Sequence, residues 1–207
     1  MRKTVSVLKI GEQHLSRTSS ILQAFTDDLS KKYSKDHIMP PSAHQFISDN
    51  ITTSLNINER MLLDQPLSFK ELTEAMQGMK KGKSPGSNGY TACFFKYFWN
   101  KLGPFLYRAF IFCSHLDKTL QSHREGVITM IPKAGKSPDS IKAWRPITLL
   151  NIDFKIISSA VSARLQHVIG KLINPCQTAY IKGRYIGENT RLVYDVINSL
   201  ITKKGLG

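Results

Sequence analysis

Gly126 to Leu150 reads GVITMIPKAGKSPDSIKAWRPITLL, and the folding of this stretch decides how the rest of the chain is read. Val127, Ile128, Met130 and Ile131 form a short apolar run that stops at Pro132, which has no amide hydrogen to give a sheet ladder. A second extended run, Trp144 to Leu150, begins twelve residues later. The intervening segment is rich in Lys, Gly, Ser and Pro, a turn-forming composition. The pattern predicts two strands of a hairpin with a basic, mobile tip carrying Lys133, Lys136 and Lys142, and with Arg145 where the second strand begins. A tip of this composition is suited to phosphate.

At 207 residues the chain can bury a substantial core as one large or two small domains. No apolar run approaches the roughly 18 to 20 residues that span a bilayer, and no signal-peptide segment follows the basic N-terminus, so an intracellular setting, nuclear or cytoplasmic, is expected without membrane partners. Three scattered cysteines, Cys93, Cys113 and Cys176, argue against a disulfide frame or a zinc site. The net charge of +14 is unevenly placed. Residues 1–78 hold nine Lys/Arg and nine Asp/Glu, whereas residues 79–207 hold twenty and six. The whole excess lies in the second part, which favours a polyanion, nucleic acid before membrane surface.

Helical spacing predicts a helix from Thr18 to Tyr33, broken by Pro40-Pro41, and a weaker one around Phe46, Ile47, Ile51 and Leu55. Ser68 with Glu71 is a capping box that opens a helix with the stripe Leu72, Ala75, Met76 and Met79. A loop of three glycines and three lysines follows, residues 80–89. A helix bearing Phe94, Phe95, Phe98, Trp99 and Leu102 should be interrupted at Gly103-Pro104 and restart through Phe105, Leu106, Ala109, Phe110 and Cys113. This aromatic density is read as core rather than a base-stacking platform, because its spacing is helical. Beyond the hairpin, Asn151 is a plausible N-cap for a long buried face running from Ile156 to Ile173. Gln177 to Arg184 reads as extended, and a last helix carries Val193, Ile197 and Leu200.

Several familiar chemistries do not fit. Gly82-Lys83-Ser84 and Gly135-Lys136-Ser137 lack the first glycine of a P-loop, since Gln77 and Met130 stand there. No histidine has companions at metal-ligand spacing, and no Ser-His-Asp set assembles. Asp27-Asp28 imitates an aromatic-x-Asp-Asp polymerase box, but it lies inside a helical pattern that points it to solvent.

Three blocks in order resemble the reverse transcriptase of non-LTR (LINE-type) retrotransposons. The first is Met79-Lys80-Lys81-Gly82-Lys83-Ser84-Pro85-Gly86-Ser87-Asn88-Gly89, with Phe94-Phe95-Lys96 and Phe98-Trp99 downstream. The second is Ile131-Pro132-Lys133 followed by Trp144-Arg145-Pro146-Ile147-Thr148-Leu149-Leu150-Asn151, then Asp153-Phe154-Lys155-Ile156 and Arg164-Leu165. The third is Pro175, Gln177-Thr178-Ala179-Tyr180, Gly183-Arg184 and Glu188-Asn189. The resemblance implies an α+β, mostly helical fold with a short antiparallel hairpin, the fingers and start of the palm of a right-hand polymerase. Residues 1–66 would be a helical N-terminal extension and 67–207 the partial polymerase domain. It also implies dNTP-phosphate contacts from Lys133 and Arg145. RNA template, RNA–DNA hybrid or DNA primer contacts would come from Lys80, Lys81, Lys83, Ser84, Gly86, Asn88, Lys136, Lys142, Gln177, Gly183 and Arg184.

Two departures qualify this. Asn88 stands where the family usually has Asp, which removes a charge and keeps a turn-forming side chain. The two aspartate boxes that hold the family's Mg2+ pair would follow the last helix, so the chain is expected to be a fragment with no metal of its own, not competent to polymerise alone. The alternatives are a non-catalytic nucleic-acid-binding protein of retroelement origin, or an unstable remnant whose last helix leaves apolar surface exposed.

Overall fold

The computed structural model describes residues 5–34, 41–50 and 53–204. Pro40 and Ile51, named above, lie outside them. In chain order the elements are β1 (Leu8–Ile10), β2 (Gln13–Leu15), α1 (Thr18–Lys32), α2 (Pro41–Asn50), α3 (Ile57–Asp64), α4 (Phe69–Gly78) and α5 (Ala92–His115), then β3 (Val127–Pro132), β4 (Trp144–Leu149), α6 (Ile152–Leu165), α7 (Ile169–Leu172) and α8 (Gly187–Lys204). Among the described residues the chain is mostly helical, with two small antiparallel sheets, β1–β2 and β3–β4. No described helix is long and apolar enough to cross a membrane.

Helix starts follow their caps. Ser68 Oγ accepts from the Glu71 amide at 3.2 Å, and a Glu71 carboxylate oxygen accepts from the Ser68 amide at 2.8 Å. Asn56 and Glu59 make the same reciprocal box at α3, a helix that spacing alone did not suggest. Both boxes satisfy amides that a helix end leaves unpaired.

The larger core joins Leu67, Leu72 and Met76 to Ala92, Phe95 and Trp99 of α5 and to Ile152, Ile156, Ile157 and Ala160 of α6. Glu71 and Arg164 brace it. The guanidinium donates to both Glu71 oxygens, at 2.8 and 2.7 Å, and to the carbonyls of Gln65 and Pro66. Held mainly by these Arg164 bonds, the Glu71 carboxyl falls to a pKa of about 2. The second core joins Leu8, Ile21 and Phe25 to Ala143 and Trp144. Residues from both sides of position 66 therefore share one interior.

Four local expectations need correction. Helix α5 runs unbroken through Gly103-Pro104. Gly103 is buried where a Cβ would come within 2.9 Å of Trp99 and 3.2 Å of Phe69, whose rings stack. The packing of two large rings over a bare backbone outweighs the one helix bond that proline forfeits. The long buried face after the hairpin is instead two helices. Helix α6 ends at Leu165, the chain turns so that Val168 is buried, and Val161, Leu165 and Leu172 are exposed. Residues 177–184 form turns rather than a strand, with Tyr180 and Gly183 at positive φ, where an extended strand cannot pass. Asn151 occupies the N-cap position of α6, but its side chain makes no cap bond.

Candidate nucleic-acid interface

The β3–β4 ladder pairs Val127 with Leu149 through to Pro132 with Trp144. Its pleat puts Trp144 and Met130 toward the second core and puts Arg145, opposite Ile131, on the other face. Arg145 is exposed there, and among the described residues no hydrogen bond or ion pair engages its guanidinium. The tip is held rather than loose. Lys133 donates through its amide to the Ala143 carbonyl and through Nζ to the Lys142 carbonyl, both at 2.7 Å, and Trp144 Nε1 donates to Pro138 at 2.8 Å. Strand β1 docks beside it through the Lys9 amide, which donates to Asp139 at 2.6 Å. The Ser137 hydroxyl and Lys9, 3.2 Å away, hold the Asp139 carboxyl below the usual carboxylate range. The one acid of the tip is thereby paired, while Lys136, Lys142 and Arg145 face solvent.

The loop at 80–89 reaches the same end of the molecule through Asn151. Its Oδ1 accepts from the Asn88 amide at 3.2 Å and from Ser87 Oγ at 3.4 Å, and its Nδ2 donates to the Ser122 carbonyl at 3.1 Å. A Cβ on Gly86 would fall 2.3 Å from Asn151 Oδ1 and 2.6 Å from the Leu150 carbonyl carbon. Gly86 thus gives the close approach to the protein's own β4–α6 junction. The Asn88 side chain accepts from the Tyr90 amide at 3.1 Å, a turn bond that an aspartate would make equally well. Ser84 lines a groove of about 830 Å³ between α1 and the hairpin, with Phe25, Ile128 and Trp144 among its walls. Lys80, Lys81 and Lys83 are exposed and, among the described residues, unpartnered. Lys96 caps the end of α4, donating to the Gln77 carbonyl at 2.7 Å.

Gln177, Gly183 and Arg184 lie apart from this group. Arg184 donates to the carbonyls of Asn174 and Gln177 through Nη1 and of Gly170 and Ile173 through Nη2, at 2.7 to 2.9 Å. The turn it closes is tied by Gln166 to the C-terminal end of α6, and Asn151 stands at the other end. The fourteen residues of α6 separate the two regions by roughly 20 Å. The structure therefore unites Ser84, Gly86 and Asn88 with the base of the hairpin, and Lys133 with Lys142. It leaves the third set distant, with its arginine committed to backbone carbonyls.

Asn151 and Arg164 were legible only as a cap and as part of a motif. Their internal partners lie 29 to 101 positions away, beyond any local pattern. Among the described residues, no three His, Cys, Asp or Glu side chains gather as a metal ion would require.

No protein-family model matches the chain. It is similar to an uncharacterized 149 kDa protein of the transposon TX1 from Xenopus laevis, 34% identical over 166 residues. The match covers 80% of this chain and spans 12% of that protein's length.

Proposed function

We propose that the chain is the fingers and first part of the palm of a LINE-type RNA-directed DNA polymerase, contacting template–primer and the phosphates of the incoming dNTP. The observation that carries this reading is the β3–β4 edge, where Arg145, Lys136 and Lys142 are exposed beside a loop that Asn151 fastens to the same junction. Similarity to a transposon protein supports a retroelement origin. A planar guanidinium can fork two phosphate oxygens, and each lysine adds a point charge. With Nζ donating to a carbonyl, Lys133 braces the tip and can contact phosphate only with its remaining donors. The chain's part is binding and orientation.

The test is titration of a labelled RNA–DNA hybrid at about 50 and 200 mM salt, where contacts to several phosphates make affinity fall steeply. Replacing Lys136, Lys142 and Arg145 by alanine should weaken hybrid binding and flatten its salt dependence. Hybrid affinity that ignores both salt and these substitutions overturns the reading. In a complete polymerase, Arg145→Ala should raise KM for dNTP more than it weakens template binding.

A further inference from the structure

We infer that the outer face of α5 is a binding surface for single-stranded nucleic acid, separate from the hairpin edge. This rests on the proposed polymerase origin only for its biological setting; the chemistry comes from α5 itself. Phe98, Lys101, Phe105, Arg108 and Phe112 recur at alternating spacings of three and four, which places them within an arc of roughly 80° on one helix side. The opposite side carries Phe95, Trp99 and Gly103 into the core. The outer rings are exposed: Phe98 by 38%, Phe105 by 67% and Phe112 by 65%, with Tyr97 beside them at 83%. Lys101 and Arg108 are exposed between the rings and, among the described residues, have no hydrogen bond or ion pair.

At the helix start the stripe continues as a ladder. Tyr90 and Phe94 stack with centroids 4.5 Å apart, Phe94 meets Phe98 at 5.0 Å, and Tyr97 meets Phe98 edge-on at 4.8 Å. An apolar stripe alone would suit another protein. Charge selects the occupant here: residues 79–116 contain six Lys/Arg and no Asp/Glu. Rings alternating with cations, on a helix that itself carries no carboxylate, match a strand whose bases stack and whose phosphates need counter-charges. A duplex keeps its base faces inside the stack and offers this surface only phosphate. RNA and DNA single strands share the required chemistry.

The experiment compares labelled U20, dT20 and an RNA–DNA hybrid on the full chain and on two variants, one with Tyr97, Phe105 and Phe112 replaced by alanine, the other Lys101→Ala/Arg108→Ala. These side chains are exposed, so circular dichroism should match the parent. The aromatic variant should lose at least about tenfold in affinity for one or both single strands, with its salt slope and its hybrid affinity unchanged. The cationic variant should lower the single-strand salt slope by about 1.4. The two single-strand arms show whether RNA, DNA or both are bound. Unchanged affinity for both strands in the aromatic variant overturns the inference. So does equal loss of single strand and hybrid, and so does a change in self-association without a change in strand affinity. Hybrid affinity that ignores both salt and the hairpin substitutions refutes the proposed function and leaves the α5 result standing.

Discussion

Arg145 and Arg184 carry the same cation into opposite circumstances. Arg184 is half-buried and gives its terminal nitrogens to four carbonyls of residues 170–177. Arg145 stands exposed on a strand whose other face is anchored by Trp144, and no described group engages its guanidinium. Arg164 extends the contrast, as it is committed to Glu71 and to the carbonyls leading into α4. A motif arginine is available to a ligand only in so far as its donors are not already taken. By that measure the hairpin edge is the better binding candidate, because the terminal donors of Arg184 are taken up within its own turn.

Substitutions test this contrast most strongly at Arg164. Arg164→Ala leaves Glu71 without its partner and three carbonyls without a donor, and should cost about 3 kcal/mol of unfolding free energy in a urea titration. A loss under about 1 kcal/mol would mean that the pair does not brace the core. The same interaction predicts a pH effect. The folded Glu71 pKa of about 2 lies below the ordinary glutamate value of 4.5, so its contribution is complete above pH 4.5 and is lost as pH falls from there toward 2. Thermal melts across that window should show this component disappear in Arg164→Ala. Gly86→Ala comes next, at about 2 kcal/mol, because the added carbon meets backbone at Leu150 and Asn151 rather than a flexible tip. Hybrid affinity should fall with it, since the loop leaves the hairpin base.

Arg184→Ala should cost about 1 to 2 kcal/mol and raise hydrogen exchange in residues 170–184 without touching the hairpin. Loss of hybrid binding without loss of that local protection would mean that Arg184 serves a ligand rather than its own turn. Arg145→Ala should have the smallest effect on stability, within about 0.5 kcal/mol, while weakening phosphate binding. A marked loss of stability would reveal a structural role that its exposure denies.

The elements of this fold were largely legible because their signals are local. The box at Ser68 and Glu71, the α1 and α4 periodicities and the two apolar runs of the hairpin all act within a few residues. Gly103-Pro104 misled because it reads as a helix break, while the reason for the glycine is a ring that it must admit. The aromatic stripe divided in the same way. Helical spacing assigned it to the core, and the structure gives Phe95 and Trp99 to the interior and Phe98, Phe105 and Phe112 to solvent. The candidate site was legible as composition, a basic hairpin and a basic loop, but not as a group.

Charge partition, periodicity and capping therefore determined, from sequence alone, a mostly helical chain with one basic hairpin and its positive charge gathered in residues 79–207. These depend on residue type and on spacing along a single element. Tertiary structure alone decided that Asn151 fastens the glycine loop to the hairpin, that Arg164 and Arg184 are committed within the protein, and that Arg145 is not. Hydrogen-bond donors are shared out by proximity in space, and the chain brings together residues 63 to 101 positions apart without any mark in the intervening sequence.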